Sequence, residues 1–460
     1  MSGFSSLNVA SSALAAQQRA MEVTGQNIAN ASTPGYTRQR TEFEAVPGGS
    51  AYTFFSRSDG LGSGVSADTV TRIRDAFLER RGQLEHGTSA QAAAVDTSYA
   101  ELETSFGEPG DKGVQALMTK AWAAWGQLST SPTDATSRTA VLSTSAALAQ
   151  GLNRTSGAID AQWRSTHVST TDQLSEVNAD LTSVADLNRA IAAAVSTGLN
   201  ANELQDQRDT LVGRLADTIG AVAVETENGM VNVLVGGNTV VGGLSANQLR
   251  LGGPTDPSAM GTPVTISIWP SGSVVDAGGT LGGQLKALNT VIPGYRGELD
   301  AVAADIATRV NGLQAGGFDQ DGQPGGPVFG GTTAASIQVV MTDKRDLAAA
   351  GTGPSGTNAS SDGTNADAIA QLAGGPDTAY RITVTKLGVE ARSATSAAAS
   401  AAAVVTQVDA SRQSVSGVSL DEEMTNMLVF KQSYAAAARM VTAVDEMLDV
   451  LINRTGLVGR

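Results

Sequence analysis

The chain has no cysteine. That excludes a disulfide framework and any thiolate-ligated metal site. Aromatic residues make up 4% of its 460 positions, too few for a thick core and better suited to thin, alanine-rich helix contacts. Cations are outnumbered, with 30 Lys and Arg against 45 Asp and Glu and a net charge of −15. This argues against nucleic acid as a partner, because phosphate binding is carried by Lys and Arg. No run approaches the roughly 18 apolar residues of a helical membrane span, so no membrane insertion is expected. Residues 1–30 lack a basic n-region and a continuous apolar h-region, so no cleaved signal peptide is expected. By composition alone the chain would be cytoplasmic.

Catalytic patterns are also missing. The two histidines, His86 and His167, have no metal-ligand spacing around them and read as surface or packing residues. Asp319-Gln320-Asp321-Gly322 begins like a calcium loop but lacks the later acidic ligands, and reads as a turn. The glycine pairs Gly236-Gly237, Gly242-Gly243 and Gly252-Gly253 have no Walker Lys-Ser partner and read as hairpin turns. Trp122 and Trp125 share a helix face and read as packing residues. No cofactor, metal or enzyme activity is expected.

What is present is helical patterning, strongest in the last forty residues. Ser419 followed three residues later by Glu422 is a capping-box pattern. Asp421, Glu422 and Glu423 fall in the first turn, where the helix dipole favours carboxylates. Met427, Phe430, Tyr434, Ala437, Val441, Val444, Leu448 and Leu451 then recur at three-four spacing, as in a coiled-coil seam. Asn453, Arg454 and Gly456 read as the helix end. At the other end, Leu7, Leu14, Met21 and Ile28 repeat every seven residues, with Ala10, Gln17 and Thr24 filling the seam. Asn27 and Asn30 lead into the turn Ser32-Thr33-Pro34-Gly35, where proline disfavours helix before it and glycine permits a left-handed step. Two readings fit. The two helices belong to one globular core, or the chain ends pair into a coiled coil that is also an assembly surface.

Between the ends, residues 41–70 read as short strands or extended connections. Helical pattern runs from Ala76 to Phe106, restarts at Val114 after Gly107-Glu108-Pro109-Gly110, and is longest from Ser137 to Ser196. There the stripe Leu174, Val177, Leu181, Val184, Ile191, Val195 is interrupted by polar Asn188. Leu204–Ile219 is one more amphipathic helix. Alternating runs at 222–224, 231–235 and 264–268 read as strands. Helix returns over 281–313, with a bend at Pro293-Gly294, and again over 387–413. Strands are expected at 337–341 and 380–384. The fold class is therefore mainly α with a β insertion. Terminal coiled-coil helices, an elongated helical bundle and a small outer β domain are nested as discontinuous domains. The expected division is 1–40 with 417–460 (terminal assembly), 41–220 with 281–318 and 387–416 (bundle), and 221–280 with 319–386 (outer β-rich insertion). Closing such long loops costs entropy only logarithmically with length.

The run Asn27-Ile28-Ala29-Asn30-Ala31-Ser32-Thr33-Pro34-Gly35-Tyr36 resembles the N-terminal signature of flagellar rod, hook and hook-associated proteins. Ser416 to Met424, continued by Tyr434-Ala435-Ala436-Ala437-Ala438-Arg439, is similar to their C-terminal signature. Gly35-Tyr36-Thr37-Arg38-Gln39, the run Leu204 to Leu211, and Val310-Asn311 followed by Gly317-Phe318-Asp319 resemble the hook-associated branch. The resemblance implies a structural protein of the bacterial flagellum, placed as an adaptor at the hook-filament junction and exported unfolded without a cleaved signal to an extracellular site. It implies a homo-oligomeric ring built through the terminal helices. It also implies contacts with hook protein, a second junction protein and an export chaperone. Asn27, Asn30 and Tyr36 would order against neighbouring subunits. The alternatives are a hook or distal rod protein, or a secreted binding or adhesion module displaying residues 221–280.

Overall fold

The computed structural model describes residues 3–47, 62–353 and 361–450. A long N-terminal helix, α1 (Gly3–Ala29), is followed by four three-residue strands: β1 (Gln39–Thr41), β2 (Glu44–Val46), β3 (Gly64–Ser66) and β4 (Val70–Arg72). β1 pairs with β4 and β2 with β3, both antiparallel. Tyr52 and Phe54, two apolar positions of this stretch, lie outside the described residues.

The bundle starts with α2 (Ala76–Phe106), capped by the Asp75 carboxylate, which accepts from the backbone of Phe77 and Leu78. It continues through α3 (Val114–Thr130), α4 (Ala135–Ser196) and α5 (Asn202–Ile219). α4 has 62 residues, about 93 Å at the helical rise of ~1.5 Å per residue. Its two halves serve different cores. Val141, Leu148, Leu152, Ile159 and Trp163 belong to a large core with Leu102, Met118, Trp125, Leu299 and Ile306. Leu174, Val177, Leu181 and Val184 belong to a second core with Val212, Leu215, Val233 and Ile266.

The second core is roofed by strands. β5 (Val222–Glu225), β6 (Val231–Val235), β7 (Asn238–Gly242) and β8 (Ser245–Ala246) form an antiparallel meander. β9 (Gln248–Gly252), β10 (Thr265–Trp269) and β11 (Val274–Val275) form a three-stranded sheet with β10 central. In β6 the valines alternate inward and are buried, which is the period of two that a one-faced sheet demands.

The chain then returns to helix as α6 (Gly279–Lys286) and α7 (Ile292–Gly316). One wider π turn, Ala287–Val291, joins them just before Pro293. A proline cannot donate to the preceding turn and its ring crowds the carbonyl four residues back, so the helix widens there instead of breaking. β12 (Phe329–Gly330) and β13 (Gln338–Val339) make a small antiparallel pair. α8 (Thr364–Ala370), α9 (Pro376–Ser416) and α10 (Leu420–Asp449) complete the described chain.

Two expectations are corrected. Residues 380–384, expected as a strand, lie inside α9. Tyr380, Ile382 and Val384 alternate in sequence, but burial falls on Tyr380, Thr383, Leu387, Ala391 and Ala394, a helical period. Ile382 is exposed. Residues 319–386 do not join 221–280 in one outer insertion. Phe329, Ile337, Leu347, Ile369 and Tyr380 pack into the large helical core, while the strands between 222 and 275 roof the second core.

Extended segments are held to helices by a repeated device. A carboxamide on a helical turn brackets one residue, accepting from its N–H and donating to its C=O. Asn178 brackets Leu249 (2.8 and 2.9 Å) and Asn188 brackets Val231 (3.1 and 2.7 Å). Asn289 brackets Val264 (2.7 and 2.8 Å), Asn311 brackets Phe329 (3.0 and 2.7 Å) and Gln314 brackets Ala348 (3.0 and 3.3 Å). Each amide supplies the donor and acceptor that a neighbouring strand would have supplied.

Candidate functional site

α1 and α10 pack against each other as the two chain ends. Most of this contact is shallow. On α1 the buried residues are small or polar: Ala10, Ala16, Ala20, Val23, Thr24 and Asn27. Leu7, Leu14, Met21 and Ile28 are half-buried beside them. On α10, Glu423 and Val444 alone are buried among the described residues. Met427, Phe430, Ala437, Val441 and Leu448 are half-buried, and Tyr434 is exposed. Leu451, with Asn453, Arg454 and Gly456, lies outside the described residues. Phe430 meets Phe43 with ring centroids 6.2 Å apart. Further apolar residues of α10 have no cover, Leu420, Met424 and Leu428 on one flank of the stripe that meets α1 and Val429, Met440 and Met447 on the other, each more than half exposed.

The tight part of the junction is a polar knot. Asn27 is 1% and Glu423 2% exposed. The Asn27 amide donates to Gln39 O (2.9 Å) and to Glu423 Oε2 (3.0 Å). Its Oδ1 accepts from Gln39 N (3.0 Å) and from the Tyr36 hydroxyl (2.9 Å). All four hydrogen-bonding positions of one carboxamide are thereby used. Arg38 Nε donates to Glu423 Oε1 (2.7 Å) and Nη1 to Glu422 Oε2 (2.8 Å). The Arg38 backbone N–H reaches Ser416 O (3.1 Å). Burial and the nearby carboxylates of Asp206, Glu423 and Glu203 push the Tyr36 hydroxyl up to about 12. It therefore keeps its proton and donates through the neutral range. Asn30 caps the helix end locally, donating to Gln26 O (3.1 Å) and accepting from Thr33 Oγ1 (3.2 Å). Ser419 accepts from the Glu422 backbone, but the Glu422 side chain turns to Arg38 instead of closing a reciprocal capping box.

The turn after α1 docks onto α5. Thr37 N–H donates to Asp206 Oδ2 (3.2 Å), and Asn202 Nδ2 donates to Gln39 Oε1 (3.1 Å). Gly35 has φ +82°, and a Cβ there would come 2.5 Å from Thr210 Oγ1. Only glycine allows both that backbone and that approach. A chain of charged pairs continues from this point up the bundle. Arg72 joins Asp206 (2.8 Å) and Asp209 (2.7 Å), and Arg74 joins Asp209 and Glu79. Arg412 joins Glu79 (2.7 Å) and Asp409 (3.1 Å), and His86 lies between Asp409 (3.1 Å) and Asp217 (3.0 Å). β4, α2, α5 and α9 are thus tied together at the foot of the bundle.

The comparisons with known proteins converge. The model for the flagellar hook-associated protein FlgK helical domain matches residues 99–329. The flagellar basal body rod FlgEFG protein C-terminal model matches 410–454, and the flagella basal body rod protein model matches 7–37. Flagellar hook-associated protein 1 of Bacillus subtilis is 31% identical over the whole of both chains. The chain belongs to the flagellar hook-associated protein 1 family.

The protein of the same name from Salmonella typhimurium is 23% identical, covering 97% of this chain and 99% of its own. A solved structure titled as the flagellar hook junction protein FlgK from Burkholderia pseudomallei superposes with a TM-score of 0.64 at 18% identity. It covers 74% of this chain and all of that one, and shares the fold. As a member of the hook-associated protein 1 family, the chain is a structural component of the flagellum. The two terminal matches, 7–37 and 410–454, are the segments that meet in the polar knot.

Among the described residues, no group of three or more His, Asp or Glu side chains could hold a metal ion, and no helix is long and apolar enough to cross a membrane. Asp319 accepts from the backbone of Asp321 and Gln323 (2.8 Å each), closing the turn on itself. Sequence reading gave Asn27, Asn30 and Tyr36 a turn and a contact with neighbouring subunits, gave Glu423 only a place in the first turn of its helix, and gave Arg38, Asp206 and Asp209 no role of their own. The signal was available, since these residues lie in the runs 35–39, 204–211 and 416–424, which the fold brings into one place.

Proposed function

We propose that this protein acts at the hook-filament junction as an adaptor ring of like subunits, built through the paired terminal helices of residues 1–40 and 417–460. It acts by assembly, without catalysis. One observation carries this reading. α10 leaves Leu420, Met424, Leu428, Val429, Met440 and Met447 uncovered in the single chain. A helix with uncovered apolar residues on both flanks of its buried stripe needs more cover than α1 provides. Neighbouring subunits provide that cover in the assembled ring, and the assembly surface takes in Leu7, Leu14, Met21, Ile28, Tyr434 and Leu451. Before export the same apolar residues suit a flagellar export chaperone, and the working site of the chain is extracellular. Hook protein lies below the ring and a second junction protein above it, with the bundle and the strands of 222–275 facing outward.

The test is deletion in the source bacterium, with cells viewed by electron microscopy and flagellin assayed in the medium. The expected result is finished hooks without filaments, and flagellin lost to the medium. Loss of the hook itself would move the protein to hook or rod. Normal filaments would overturn the reading.

A further inference from the structure

Glu423 is a carboxylate buried in a helix pair that otherwise relies on small apolar contacts. Such a group adds little net stability, because desolvation offsets its pairing. It can instead be demanding about alignment, as a single buried polar residue is in a coiled coil. The geometry here is demanding on both sides. Asn27 and Arg38 each point a donor at Glu423, at 3.0 and 2.7 Å, and the remaining Asn27 groups are spent on Gln39 and Tyr36. A slip of α10 by four residues would bring Ser419 or Met427 to this place, and a slip by three would bring Leu420 or Asn426. None of these carries a carboxylate.

We propose that Glu423 is a positioning residue that sets the register of α10 on α1, selecting the one alignment in which Asn27 and Arg38 are both satisfied. The proposal rests on the assembly reading only where register is linked to incorporation. In that link, the pin sets the height at which the uncovered apolar residues of α10 are offered to the next subunit. Glu422, exposed and bound to the same arginine, steers but does not pin.

The absence of cysteine gives a background-free readout in the full-length chain. Phe43→Cys with Phe430→Cys reports the native alignment, since these rings already touch. Phe43→Cys with Tyr434→Cys reports an alignment shifted by one turn. Both pairs are treated with a short bismaleimide. In the Glu423→Leu background, the native cross-link should fall about tenfold or more, the scale of leaving a buried partner charge unpaired, and the shifted cross-link should rise. Glu423→Gln keeps the acceptor for Asn27 and should retain most of the native cross-link. Glu422→Gln should leave both pairs unchanged. An unchanged native cross-link in Glu423→Leu overturns the proposal. So does uniform loss of both cross-links, which would mean that α10 merely detaches. Because the readout is on the free chain, register lost with normal incorporation into flagella would sink the link between register and incorporation while leaving the pin in place.

Discussion

The bundle and the terminal pair are both made of long helices, yet they are held together by different physics. The bundle buries large side chains completely. Trp125, Trp163, Tyr380, Leu152 and Ile159 are all at or below 1% exposure. The terminal pair buries alanines, two valines, one threonine and a polar knot, and leaves methionines in solvent. Burial of a large apolar side chain contributes about 1.5–3 kcal/mol, whereas an alanine contact contributes a small fraction of that. The bundle therefore has its stability within one chain, whereas the terminal pair gains little from its own packing.

That contrast can be broken at its strong end first. Trp163 is fully buried and donates from Nε1 to Leu288 O (3.2 Å). Trp163→Ala should destabilise the bundle by about 3–5 kcal/mol in denaturant unfolding. A loss under about 1 kcal/mol would show that the large core is not what holds the bundle.

The bracketing amides come next. Asn188→Ala leaves Val231 N–H, Val231 O and Gly243 O without their partner on α4. It should cost about 3 kcal/mol, since each buried unsatisfied group costs about 1–3 kcal/mol. The loss should be concentrated in amide exchange of β6. Equal destabilisation spread over the whole bundle would argue that the bracket is not local.

Leu448→Asp sharpens the weak end. It should abolish incorporation into the flagellum while shifting unfolding of the bundle by less than about 0.5 kcal/mol, as expected for a change remote from that core. Amide exchange of the free chain should run orders of magnitude faster over α1 and α10 than over α4 and α7, because poorly buried helices open at little cost. Strong protection throughout both terminal helices would erase the comparison.

The smallest effect concerns acid. Asp362 accepts from the backbone N–H groups of Thr364, Thr352 and Gly351, and the Thr364 bond does most to hold its carboxyl down at about 2. A folded value below the unfolded one gives stability that is present above about pH 4 and fades as pH falls towards 2. The residue is half-buried at the surface, and solvent screening keeps the effect small. Asp362→Asn should flatten the acid limb of local exchange at residues 349–353 and leave neutral-pH unfolding unchanged. A shifted neutral midpoint would show that the carboxylate supports more than its own loop.

Much of the helical frame was legible because periodicity and punctuation agree there. The expected helix over 137–196 is α4 at 135–196, and that over 204–219 is α5 at 202–219. Both have a glycine, proline or aspartate stop that local chemistry reads correctly. Tyr380 to Val384 misled because β-branched residues in alternation look like a strand, and tertiary packing overrode that preference. Residues 319–386 misled because little of the segment is regular. Their place is set by partners far along the chain, such as Asn153 donating to Ala334 O and Ile337 O, and Asn311 binding Phe329. Asn188 looked like an interruption of an apolar stripe and is in fact a connector. Of the candidate site, the helices and the turn between them could be read from spacing. The Glu423 knot could not, because one buried carboxylate among three consecutive acids is distinguished only by what it faces.

α4 has a mechanical consequence. One uninterrupted helix carries the large core on its first half and the strand-roofed core on its second. Bending at its middle would strain about 62 residues of continuous hydrogen-bonded backbone together with the packing on either side, so the two cores share a single beam without a flexible neck. Torque arriving at the foot of the bundle would be transmitted to the outer strands as rotation of the whole subunit. In such a layout, compliance resides in the thin terminal helices.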